Sequence, residues 1–236
     1  MIDIHSHILF SVDDGSKSLE QSIEYLKEIK EIGMNKVVCT PHISHDNPEK
    51  MNKIRENFEV LKAEALKLGI ELYLGNEIMC RSNTLELLQN NKVNTLNGTK
   101  YILVEFKRGE KRSIDNISDI LNEFIDNGYY PILAHPELYV NLRNINNYRR
   151  LKEEGVLLQI DGTSLLPKKS GLKTYLFAKK LIKERLVDFV ASDSHCTKLR
   201  DYKSMLDAYN KVKKIDSNYA DIIFHENQLE IIGSID

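Results

Sequence analysis

Short apolar runs alternate along the chain with longer stretches in which apolar positions recur every three or four residues. The first pattern predicts strands and the second amphipathic helices. Strands are expected over 2–5, 36–40, 71–75, 101–106, 130–134, 156–160 and 186–191. Helices are expected over 18–33, 48–69, 84–90, 114–127, 147–154, 172–185, 202–214 and 227–232. Gly33, Gly128 and Gly155 stand where helix C-caps belong, and Pro41 stops the second strand. The run Ile102-Leu103-Val104 lacks polar alternation, as in a strand covered on both faces. Seven strands, most followed by a helix and none set off by a linker, predict one α/β domain over 1–236 with a parallel sheet. An open doubly wound sheet and a closed barrel both satisfy this alternation.

Composition narrows the partners. Lys and Arg total 33 against 35 Asp and Glu, so the basic excess of a nucleic-acid binder is missing. No apolar run approaches the roughly 20 residues of a membrane helix, so no membrane insertion is expected. Three cysteines, Cys39, Cys80 and Cys196, make no disulfide framework, and no basic-then-apolar leader opens the chain. The expectation is a cytoplasmic protein. Nothing in the pattern sets an oligomeric state.

The histidines carry the chemical signal. Five of seven fall just past predicted strand ends: His5 and His7, His42, His135 and His195. Asp14, Glu77, Glu105 and Asp193 occupy positions of the same kind. In α/β sheets and barrels that edge is where sites are built. In extended chain, residues i and i+2 point the same way, so His5 and His7 can reach one point, as can Asp193 and His195. Each pair alone is weak; nine candidate ligands on one edge are not. Nitrogen and oxygen donors without thiolate suit Mn²⁺, Fe²⁺ or Zn²⁺ in a hydrolytic cluster rather than a structural cysteine site. Cys196, one position past His195, points off that face.

Other schemes fail on spacing. Six residues beyond the cysteines stand His45, Glu86 and Tyr202, so no C-x5-R phosphatase loop exists. The nucleotide loops and the G-x-S-x-G elbow are also missing. His45-Asp46 lacks partners for a metal site, and His225 reads as a surface residue.

The segments D-I-H-S-H-I-L (3–9), V-D-D-G (12–15), T-P-H (40–42), G-N-E-I (75–78), K-Y-I-L-V-E-F (100–106), G-Y-Y-P-I-L-A-H-P-E (128–137) and F-V-A-S-D-S-H (189–195) together resemble the polymerase and histidinol phosphatase (PHP) family. The likeness spans essentially the whole chain. It is greatest to the bacterial manganese-dependent tyrosine-phosphatase branch of capsule and exopolysaccharide operons. The resemblance implies a distorted seven-stranded, TIM-like (β/α) barrel with three divalent ions, Mn²⁺ before Fe²⁺ or Zn²⁺, at its C-terminal mouth. It implies that His5, His7, Glu77 and Asp193 hold one ion. Glu77, Glu105 and His135 would hold a second, and Asp14, His42 and His195 a third. It further implies hydrolysis of protein tyrosine phosphate by a metal-bridging hydroxide. Arg200 would contact phosphate as a catalytic residue, and a tyrosine-kinase tail would be the partner.

The chain departs from the branch at two positions, with Leu138 and Met79 where arginines are usual. Arg81 stands two residues beyond Met79. The basic loop containing Lys107 and Arg108 offers substrate-binding charge instead. These departures leave room for a small phosphomonoester as substrate (a sugar phosphate or histidinol phosphate); a third reading, an inactive regulatory homologue, is opposed by the complete ligand set.

Overall fold

A computed structural model describes residues 1–195 and 201–233. Its strands are β1 (Asp3–Ser6), β2 (Lys36–Cys39), β3 (His42–Ile43), β4 (Glu71–Leu74), β5 (Glu77–Met79), β6 (Tyr101–Glu105), β7 (Tyr130–Ala134), β8 (Leu157–Asp161) and β9 (Phe189–Ala191). They pair in parallel throughout, in the orders β1-β2-β4 and β3-β5-β6-β7-β8-β9. Backbone bonds join the first strand to the last. Asp193 N–H donates to the His5 carbonyl at 2.9 Å, and His7 N–H donates to that of Ser194 at 2.8 Å. The sheet therefore curls back on itself at the edge where the candidate ligands lie.

The sequence pattern predicts seven strands; nine are present among the described residues. The runs over 36–43 and 71–79 are each broken into two. Pro41 has no N–H to give the ladder, and β3 resumes past it. Opposite the gap, Asn76 repairs the bonding. Its Nδ2 donates to the Pro41 carbonyl at 2.9 Å, and its Oδ1 accepts from Asn94 N–H at 2.8 Å. The pieces β3 and β5 escaped prediction because two or three residues are too short to show a period. The short helices Pro167–Ser170 and Ser217–Asp221 escaped for the same reason.

The longer helices lie within two residues of their expected ends. Leu19–Glu31 starts where the Ser18 hydroxyl accepts from Gln21 N–H at 3.3 Å. Pro48–Lys67 starts on Asn47, with Pro48 at its first turn. Its buried face is Met51, Ile54, Phe58, Leu61 and Ala65, spaced at three and four residues. Burying each large apolar side chain contributes roughly 1.5–3 kcal/mol.

Two apolar layers result. The larger fills the space between strands and helices, with Val37, Ile78, Val104, Leu133 and Leu158 facing Leu26, Leu61, Leu121 and Leu181. The smaller lies inside the curled sheet: Ile2, Ile4, Val38, Leu103, Ile132, Ala134, Phe189 and Ala191, closed off by Leu96, Ile231 and Ile232. The interior is thus apolar at one end. At the other it passes to His5, His7, Glu77, Glu105 and Asp193, all buried.

Candidate metal centre

A bulge in β1 aims the first two ligands. Asp3 pairs with Val37 and Ser6 with Cys39, so three steps of β1 oppose two of β2. The extra residue shifts the alternation, a common device beside active sites. Ile2 and Ile4 enter the interior layer, and beyond the bulge His5 and His7 face the same interior. The later ligands need no bulge: Leu103 and Glu105 share a face of β6, and Phe189 and Ala191 lead to Asp193. His135 and Asp193 have left-handed backbones, φ 35° and 46°. For residues other than glycine this costs on the order of 1–3 kcal/mol each and is typical of functional positions.

All nine candidate ligands come together. One oxygen or nitrogen from each of His5, His7, Glu77 and Asp193 lies within 4.8 Å of the others. The same holds for His7, Asp14, His42 and His195, and for His42, Glu77 and Glu105. Glu77 is the hub. Its Oε2 is 3.2 Å from Nε2 of both His5 and His7 and 2.9 Å from His42 Nδ1, while Oε1 is 2.9 Å from His135 Nε2. His135 Nε2 is 3.7 Å from Glu105. His42 sits between groups, with Nδ1 3.3 Å from Glu105 and Nε2 3.5 Å from Asp14. Asp14 is the exposed member and also lies 3.4 Å from His195 Nε2.

The protonation pattern fits a cation. His5 Nδ1 is 2.8 Å from Gln159 Oε1, and His7 Nδ1 is 2.8 Å from Asp13 Oδ2. Both partners are acceptors, so each Nδ1 carries a hydrogen and each Nε2 is left facing inward, as in a ring that binds a metal in its neutral form. Those two Nε2 atoms stand 3.2 Å apart, a repulsive contact unless a positive charge lies between them. His195 repeats the arrangement, its Nδ1 3.0 Å from the Asp193 carbonyl. Among the described residues, the buried Glu77 Oε2 and Glu105 Oε1 accept no hydrogen bond of good geometry. Orienting partners of this kind are the usual support of metal-bound imidazoles.

Without an ion, protons take the cation's part. Burial would lower the pKa of His42, but hydrogen bonds to Glu105 and Glu77 and the charge of Glu77 outweigh it and push the ring up to about 10. His135 likewise rises to about 9 against its burial, through Glu77 first. Burial would raise Glu77, yet the charge of His5 and the bonds from His135, His42 and His5 hold it well below the usual range.

Three supporting residues escaped the sequence reading. Asp13 accepts from His7, from His42 N–H at 3.0 Å and from Gly15 N–H at 2.9 Å. Burial opposes its ionisation, but these bonds hold the carboxyl well below its ordinary value. In a loop, period cannot tell which of two adjacent aspartates turns inward. Gln159 did leave a signal, as the polar residue in an apolar strand. Asp3 fastens β1 to the last strand, accepting from Ser192 N–H at 2.9 Å and Oγ at 2.6 Å. Gly15 lets the aspartate loop close: a Cβ there would lie 2.0 Å from the His7 carbonyl oxygen and 2.5 Å from His7 Cβ.

Lys107 and Arg108 are exposed in the loop after β6, and Lys107 borders a small cavity with Leu138 and Tyr139. Lys169 is already paired, its Nζ 2.8 Å from Asp201. Arg200 and Cys196 lie outside the described residues.

A curled parallel β/α sheet with clustered histidines and carboxylates at its C-terminal mouth defines a candidate polynuclear metal protein of the TIM-like kind. The profile of the capsular polysaccharide synthesis CpsB/CapC family matches residues 1–233, and the chain belongs to that family. It is 34% identical over 245 residues to the tyrosine-protein phosphatase CpsB of Streptococcus agalactiae, covering 98% of each chain. It is 33% identical over 227 residues to the tyrosine-protein phosphatase YwqE of Bacillus subtilis, covering 92% of this chain and 86% of YwqE. A crystal structure from work on YwqE and Streptococcus pneumoniae CpsB, described as unique metal-dependent tyrosine phosphatases, superposes with TM-score 0.89 at 29% identity. That match covers 99% of this chain and 94% of the other. A TatD-like protein of Archaeoglobus fulgidus shares the fold at 13% identity, with TM-score 0.56. No helix among the described residues is long and apolar enough to cross a membrane.

Proposed function

We propose that this chain is a single-domain, metal-dependent phosphatase that removes phosphate from protein tyrosine residues. The carrying observation is the inward convergence of His5, His7, Glu77 and Asp193, with the Nε2 atoms of the two imidazoles 3.2 Å apart. Family membership supports the choice of phosphotyrosine.

We assign His5, His7, Asp14, His42, Glu77, Glu105, His135, Asp193 and His195 as ligands of three divalent ions, with Mn²⁺ ahead of Fe²⁺ or Zn²⁺. Such ions supply Lewis acidity and acidified water when bound. The chain's own contribution is placement. Gln159 and Asp13 fix the tautomers of His5 and His7, and the apolar layer beneath keeps bulk water from the inner face. Four carboxylates against three divalent charges leave a mouth that attracts a phosphate dianion. Arg200 adds bidentate donors to the phosphoryl oxygens, and Lys107 and Arg108 draw the substrate in. A phenolate, from an acid of pKa about 10, departs with little help from a general acid. The matching partner is the tyrosine-rich tail of a capsule-operon kinase, with the reaction in the cytoplasm.

The test is phosphate release by the purified protein with added Mn²⁺ and with chelator. Rapid turnover of phosphotyrosine peptides, abolished by chelator, is expected. Faster turnover of sugar phosphates or histidinol phosphate would favour the small-molecule reading that Leu138 and Met79 raise, and no turnover would mean a regulatory homologue.

A further inference from the structure

A shallow cavity of about 200 Å³ opens from the centre on one side. Its inner wall is His42 and Glu105, which face the ligand cluster. Met79 forms part of its side, and the lining also includes Lys50 and Arg81. Lys50 comes from the first turn of helix Pro48–Lys67, where its backbone N–H is tied to the Asn47 side chain at 3.0 Å. Arg81 lies four residues beyond Glu77, roughly 13 Å along the chain at strand rise. Neither cation makes a side-chain hydrogen bond or ion pair among the described residues.

The charged groups around Lys50 are the carboxylates of Asp13 and Asp14, both on the centre's side. Lys50 is nonetheless half-buried, and burial lowers its pKa more than those aspartates restore it. His45 also lines the cavity, with its Nδ1 3.0 Å from Ser44 Oγ. A phosphoryl group held by the ligand cluster would occupy the inner end. The cations share the cavity's lining with the apolar Met79 side chain, beside that end, where the leaving group and its neighbours would lie. Two unpaired positive charges there match negative charge on the substrate's flank rather than on its phosphate.

Accepting phosphotyrosine hydrolysis as proposed above, we propose that Lys50 and Arg81 form a specificity subsite on the leaving-group side. It selects peptides carrying a carboxylate beside the phosphorylated tyrosine. Met79, on the same lining, offers the aryl ring an apolar wall.

The test measures kcat/KM with Mn²⁺ for three phosphotyrosine peptides whose flanking residues are acidic, neutral or basic. Wild type is compared with Lys50→Gln, Arg81→Gln and Arg81→Glu. Each neutral variant is expected to lower the acidic-to-neutral ratio about three- to tenfold. Taking the ratio within one variant cancels any general loss of activity. Arg81→Glu is expected to raise the lysine-flanked peptide relative to the acidic one, a gain that misfolding cannot produce. Unchanged ratios in all three variants would overturn the subsite while leaving phosphotyrosine hydrolysis intact. Failure of wild type to hydrolyse any of the peptides would overturn both.

Discussion

Asp13→Ala should separate the two adjacent aspartates by role. Asp13 is nearly buried and makes three hydrogen bonds: 2.8 Å to His7 Nδ1, 3.0 Å to His42 N–H and 2.9 Å to Gly15 N–H. A bond to a charged group contributes about 1.5–3 kcal/mol, and three on one carboxylate are not additive, so the metal-free fold should lose about 3–5 kcal/mol. For a chain of this length that is a fall in Tm of about 6–20 °C. Freed of its acceptor, His7 can turn its ring, and loss of such a support typically lowers metal affinity about 10–100-fold. The carboxyl's pKa is depressed in the fold, so its stabilisation is present above the unfolded value near 3.8 and fades as pH falls through the lower folded one. The Tm gap between wild type and Asp13→Ala should therefore persist at pH 7 and narrow in acid. Thermal melts in chelator and Mn²⁺ titration calorimetry read the two effects. Asp14→Ala is the comparison, since Asp14 is exposed and its near partners among the described residues are imidazoles of the cluster, such as His42 and His195, and the Lys50 ammonium. It should weaken metal binding with little change in the chelator melt. The reasoning fails if Asp13→Ala melts and binds Mn²⁺ like wild type, or if Asp14→Ala gives the larger fall in Tm.

Gly15→Ala should abolish turnover by at least about 100-fold, because its methyl would collide with the backbone oxygen of His7 and displace the Asp13–Asp14 loop; wild-type kcat in a variant with a native circular dichroism spectrum refutes this. Metal binding should release protons. His42 and His135 titrate near 10 and 9 in the metal-free protein, above the unfolded 6.5, so the stabilisation from their charged pairs is complete below pH 6.5 and disappears as pH rises through 9–10. Mn²⁺ affinity should accordingly climb between pH 6.5 and 9, about tenfold per unit for each proton displaced. Calorimetry in two buffers of different ionisation heat counts those protons, and a pH-independent affinity would sink the argument.

The amino-acid order alone determined the alternation of strands and helices, because burial on one stripe of a helix or both faces of a strand leaves a local period. It also pointed to the candidate ligands. His5-Ser6-His7 ends a strand, where extended geometry lets neighbours at i and i+2 converge, whereas Asp193 and His195 join the cluster with Asp193 in a left-handed backbone. Tertiary structure decided what depends on partners distant in the chain. Two expected strands are each followed by a short further strand, and between them the Pro41 carbonyl is bonded by the side chain of Asn76, a residue 35 positions away. The aim of His5 depends on a bulge that exists only in register with β2. Which aspartate of Asp13-Asp14 turns inward was settled by the backbone of His42 and the ring of His7. Lys50 at a helix start and Arg81 just past β5 line one cavity, and no local pattern links them. A local period records which face is buried, but only the assembled fold shows what each buried group meets.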